Sequence, residues 1–165
     1  MSDRVDDADA GAMKNELFGS LSLINFPLII GAFIFYFLGG YLLYSALFAA
    51  VGSAVDSETD TQQFMLPITI PLILAFIVAQ SVVITNPDSP VAFWFSIIPF
   101  TSPVVMMVRI PFGVPLWQIA LSMTFLVAGF LFTTWLAAKI YRTGILMYGK
   151  KVTYKELAKW LFYKG

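Results

Sequence analysis

Residues Ser89–Val114 read SPVAFWFSIIPFTSPVVMMVRIPFGV, and this stretch decides the architecture. It holds one charged side chain, Arg109, and by composition alone would pass for a membrane span. The prolines divide it. Ser89 suits an N-cap and Pro90 the first helical position. Val91–Ile98 is apolar and aromatic, Pro99 breaks the run, and Thr101-Ser102-Pro103 restarts a helix. Val104–Ile110 then runs into Pro111-Phe112-Gly113-Val114-Pro115. Each piece is about eight residues, or roughly 12 Å as helix, against a hydrocarbon core of about 30 Å. Two such pieces cannot each cross a bilayer, but they can enter it and return. The pattern predicts a re-entrant helical hairpin over about 89–114, with Pro99 and Pro103 at its corner.

The flanking sequence makes the bilayer setting plain. Between Leu17 and Ala138 the only charged residues are Asp56, Glu58, Asp60, Asp88 and Arg109. The chain is 59% hydrophobic and 12% charged, with a mean hydropathy of +0.81. Soluble domains carry about 25% charged residues. Charge-free runs of about 20 residues or more predict transmembrane helices over about 24–54, 62–85 and 115–138. The expected fold is therefore all-α and polytopic: three spans, a re-entrant hairpin and a polar segment at each end.

Within the spans, particular residues ask for particular partners. In the first, Ala46, Ala50 and Ala54 recur at helical spacing, a face on which another helix can pack closely. Gly39-Gly40 is a packing or bending site. Asp56, Glu58 and Asp60 form a polar hinge, with Asp60 or Thr61 able to cap the second span near the positive end of its dipole. In that span Pro71 is deep enough to kink the helix. Gln80 and Ser81 are its adjacent polar pair, open to two readings, interhelical hydrogen bonding or a place on a transport pathway. Arg109 is the only basic residue between Lys14 and Lys139. An arginine at membrane depth marks function, or else snorkels to the headgroups from the hairpin rim.

The ends set the orientation. Residues 1–23 form an acidic lead-in without the basic start of a secretory signal. Residues 139–165 hold seven basic groups and one acidic. A basic tail beside a membrane reads as cytoplasmic and as contact with anionic lipid rather than nucleic acid. Thr153-Tyr154-Lys155-Glu156 fits a capping box, and Tyr154–Tyr163 is expected to form an amphipathic helix on the membrane surface. A cytoplasmic C-terminus makes the hairpin extracytoplasmic, the acidic hinge cytoplasmic and Met1 extracytoplasmic. That last placement suggests the back portion of a longer protein.

The chain has no Cys and no His. Thiolate metal sites and the usual catalytic triads are thereby excluded, and no enzyme activity or cofactor is expected of this chain. The hinge carboxylates lack a glycine-turned calcium-loop pattern, and no phosphate-binding loop is present.

Three contiguous stretches carry a family likeness. Gly39–Gln63, Ile97–Pro111 and Ala137–Lys151 resemble the ABC-2 type transporter permeases, specifically their bacterial sodium-efflux-type branch. The resemblance implies a permease of six spans with a re-entrant hairpin between the last two, of which this chain supplies the C-terminal portion. It also implies a cytoplasmic ABC ATPase subunit that binds ATP and magnesium, a second permease subunit (the same or a related chain), and a bacterial plasma (inner) membrane. The chain departs from the family in lacking the first three spans and the large extracytoplasmic domain. The expected function is the membrane subunit of an ATP-driven exporter working by alternating access. A non-transport membrane scaffold or assembly module is the alternative.

Overall fold

The computed structural model describes residues 26–55 and 58–146, and all regular structure among them is helical. The acidic lead-in, Asp56 and the surface helix expected at Tyr154–Tyr163 lie outside the described residues. Helix α1 spans Phe26–Ala54, with Pro27 in its first turn, where a missing N–H is tolerated. Its 29 residues make a rod of about 44 Å, longer than the hydrocarbon is thick.

Helix α2, Glu58–Val78, starts earlier than its sequence suggested. Only residues 55–57 connect it to α1, so Glu58 and Asp60 belong to its first turn rather than to a hinge before it. Neither Asp60 nor Thr61 is its cap. The reason is electrostatic: acidic residues are favourable at the positive end of a helix dipole, and no Gly or Pro between Glu58 and Gln63 stops the helix. The α-helical run also continues through Pro67 and Pro71. The departure from α geometry comes two turns after Pro71, in a π-helical segment over Ala79–Val83.

The hairpin consists of α3, Pro90–Ile97, and α4, Ser102–Arg109. Ser89 caps α3 as its type demands, its Oγ accepting from the Ala92 amide at 3.2 Å. The helix ends because Ile98 precedes Pro99. The proline ring disfavours helical backbone there, and Ile98 is extended at φ −61°, ψ 123°. The corner is closed by the Thr101 and Ser102 amides, both donating to the Ile98 carbonyl, and by the Thr101 hydroxyl donating to Phe95 O at 2.6 Å. After α4 a 3₁₀ turn over Ile110–Phe112 ends at Gly113, whose φ of +90° only glycine adopts freely. Helix α5, Leu116–Leu146, follows Pro115.

Helices α1 and α5 share the most extensive contact, and α4 packs against both. Tyr36, Leu43, Met106, Ile119 and Leu126 fill the centre. Ala75 and Val78 of α2 pack with Val83, Ala92 and Val105 in a second cluster. The small-residue face of α1 does pack on a helix: Ala50 and Ala54 are buried with Ile140 of α5, and Ala46 is half-buried. The corner prolines explain two glycines. A Cβ on Gly129 would stand 2.5 Å from Pro99 Cβ, and one on Gly40 would stand 2.9 Å from Pro103 Cβ. The corner is thus wedged between α1 and α5, and only glycine lets both helices come so close.

Among the described residues, three helices are long and apolar enough to cross a membrane: Phe26–Ala54, Thr61–Val83 and Leu116–Arg142. Their outer faces carry bare Phe33, Phe37, Leu66, Phe76, Leu131 and Trp135. In water such a surface would aggregate, whereas in a bilayer it faces its own solvent.

Candidate functional site

The guanidinium of Arg109 is the centre of a buried polar cluster. Arg109 ends α4, yet it is 1% exposed, so its head turns into the protein instead of reaching for headgroups. The snorkelling reading is therefore corrected. Three of its nitrogens are engaged: Nε donates to Pro87 O at 2.7 Å, Nη1 to Ser96 Oγ at 2.7 Å, and Nη2 to Gln118 Oε1 at 3.0 Å. One side chain thereby joins the turn before α3, the body of α3, α4 and the first turn of α5. Asp88 Oδ1 lies 3.8 Å from Nη2, but that carboxylate is 86% exposed and adds only weak neutralisation. An arginine so placed keeps its proton at neutral pH.

The cluster extends inward. Ser96 Oγ accepts from Arg109 and donates to Phe93 O, and Ser96 O accepts from Ser122 Oγ of α5 at 2.5 Å. Tyr36 of α1 donates to Ile119 O at 3.4 Å and lies beside the Ser122 hydroxyl. Farther along α1, Tyr44 donates to Phe100 O at the hairpin corner at 2.6 Å. Buried hydroxyls, an amide and a guanidinium are thus satisfied by protein groups, as a low-dielectric interior requires. Ser102 Oγ is the exception among the described residues: fully buried, with no partner.

The remaining residues singled out from sequence do not join this cluster. Gln80 and Ser81 fall in the π-helical segment and are exposed. Ser81 donates to Ile77 O of its own helix at 2.6 Å. Among the described residues no hydrogen bond links either of them to Arg109. Pro71 is half-buried on α2, and Pro99 and Pro103 wedge the corner. Between α1, α2 and α4 an apolar groove of about 420 Å³ opens, lined by Phe33, Phe37, Tyr41 and Phe48 on α1, Leu72 on α2 and Met107 on α4.

Sequence reasoning missed Ser96, Gln118 and Ser122. Gln118 offered a signal, being an amide in the first turn of an apolar helix and so in need of a partner. Ser96 and Ser122 offered none, because a serine can satisfy itself on its own helix.

These features define a polytopic helical membrane protein whose three span-length helices enclose a short helical hairpin. The chain belongs to the ABC-2 family of transporter proteins, whose family model matches residues 10–139. It is 32% identical to an uncharacterized protein of Methanocaldococcus jannaschii over 88% of this chain and 34% of that one. It is 31% identical to the uncharacterized protein YhaP of Bacillus subtilis over 85% of this chain and 33% of that protein. The chain thus spans about a third of the length of these curated relatives. No solved structure matches it.

Proposed function

We propose that the chain forms part of the translocation pathway of an ATP-driven exporter, as the C-terminal portion of a permease of the sodium-efflux-type branch. The observation that carries this reading is the family match, which extends from before α1 into α5 and takes in the hairpin between them. The permease would pair with a second permease subunit, the same chain or a related one. ATP and magnesium would bind to a cytoplasmic ATPase subunit. The C-terminus would be cytoplasmic in a bacterial plasma membrane, and the α3–α4 hairpin would dip in from the opposite side. Gln80 and Ser81, exposed in the π-helical segment that follows α2, are the candidate pathway groups. Arg109 would hold the hairpin in place for that pathway.

Co-purification tests the reading. The tagged protein, extracted in mild detergent, is expected to bring down an ABC ATPase subunit and to raise its ATP turnover in lipid nanodiscs. Finding neither the subunit nor any stimulation would sink the exporter reading in favour of a scaffold or assembly role.

A further inference from the structure

We infer that the apolar groove between α1, α2 and α4 is a lipid site, occupied by one acyl chain that enters from the surrounding bilayer. The inference stands apart from the exporter reading and needs only the membrane setting. The groove runs along α1 from Phe33 to Phe48. That separation on a helix is about 22 Å, more than the roughly 15 Å of hydrocarbon in one leaflet. Its lining is held from behind. Tyr36 donates to Ile119 O and Tyr44 to Phe100 O, so both hydroxyls are engaged with protein while the residues line the groove. Gly40, which must lack a Cβ to admit Pro103, adds no side chain to fill the space. Val104 and Met107, half-buried on α4, form the hairpin wall, and the flexible thioether of Met107 adapts to an irregular occupant.

The shape and chemistry of the groove select its occupant. No charged residue lines it, and the hydroxyls not engaged with protein, those of Tyr41 and Ser45, belong to exposed residues. Water needs several polar partners to stay, and apolar cavities remain dry. Left empty, the groove would cost its lining atoms their dispersion contacts. A volume of about 420 Å³ spread over about 22 Å gives a mean cross-section of about 19 Å². A helix about 10–12 Å across needs about 80–110 Å², so it is too wide to enter and could only seal the open side. A single hydrocarbon chain fits. The supply of such chains is adjacent, because the groove is continuous with the face that α1 turns to the bilayer. Phe33 and Phe37, their rings stacked at 5.8 Å, are 52% and 61% exposed and belong to both.

Photo-crosslinking tests the assignment. The full-length protein is placed in nanodiscs of phosphatidylcholine carrying a diazirine on one acyl chain, irradiated, and mapped by mass spectrometry. Leu131, 60% exposed on the outer face of α5, is the reference for ordinary lipid contact. Met107, half-buried inside the groove, is expected to be labelled at a third or more of the Leu131 level. Labelling below a third overturns the inference, whether the groove is empty or sealed by a second copy or another helix. Val104→Trp, which fills the groove from the hairpin wall, is expected to lower Met107 labelling tenfold while Leu131 changes less than twofold. Unchanged Met107 labelling in a Val104→Trp protein that elutes like the wild type also overturns the inference, since the chain would then reach Met107 by another route. Should that variant fail to fold, the wild-type ratio of Met107 to Leu131 decides.

Discussion

Replacing Arg109 by Met should cost about 2–3 kcal/mol of stability, and the structure says why the figure is neither larger nor smaller. Three hydrogen bonds from a charged donor are lost, each worth roughly 1.5–3 kcal/mol. Against that sum stands the burial of a guanidinium, whose desolvation amounts to several kcal/mol and is relieved when the charge is removed. Ser96 Oγ keeps its bond to Phe93 O, so the losses fall on Pro87 O and the Gln118 amide. Gln118→Leu, which keeps the charge but removes one of its acceptors, should cost about 1.5–3 kcal/mol for the same physical reason. The double variant should then be more stable than the sum of the singles by about 1–2 kcal/mol, because the two side chains act on each other. Asp88→Asn, at an exposed carboxylate, should change stability by about 0.5 kcal/mol or less. Reversible denaturation in mixed micelles measures all four, with near-ultraviolet circular dichroism reporting on Trp117, which packs beside Phe93. Additivity of the two singles within about 0.5 kcal/mol would refute the clasp. So would an Arg109→Met protein of unchanged stability that has lost activity, since that would place Arg109 against something passing through.

Three further outcomes are expected. Gly129→Ala should destabilise by about 1–3 kcal/mol through its clash with Pro99, whereas Gly52→Ala, with open space around it, should be neutral or stabilising by up to about 1 kcal/mol; thermal unfolding of the two variants compares them directly. Ser102→Ala should be neutral or stabilising by about 1 kcal/mol, because it removes a buried hydroxyl that has no partner, and a drop in melting temperature would show that the hydroxyl is bonded after all. Gln80→Leu should insert and fold normally while changing efflux in vesicles; unchanged efflux would reduce Gln80 to a surface residue of the π-helical segment.

Much of the fold was legible because proline and charge act locally. Pro90, Pro99, Pro103 and Pro115 each restrict the backbone of their immediate neighbours, so the division of Ser89–Pro115 into two short helices could be read directly. The Ser89 cap was readable for the same reason. The start of α2 was not, since acidic residues suit both a polar loop and the first turn of a helix. The deeper miss was Arg109. Its position in the chain fits a headgroup anchor as well as a buried clasp, and the choice depends on Ser96 and Gln118, 13 and 9 residues away in sequence.

Sequence by itself determined that this chain is a polytopic helical membrane protein, which stretches form span-length apolar helices and where two short helices interrupt them. Hydropathy and proline stereochemistry suffice for that, because each helix must satisfy its own backbone in lipid. Tertiary structure alone decided that the hairpin is hydrogen-bonded to α1 and α5 rather than merely packed against them. That distinction rests on single hydrogen bonds and on the fit of Pro99 and Pro103 against Gly129 and Gly40. Contacts between residues so far apart in the chain depend on how the helices cross, and no local pattern encodes the crossing.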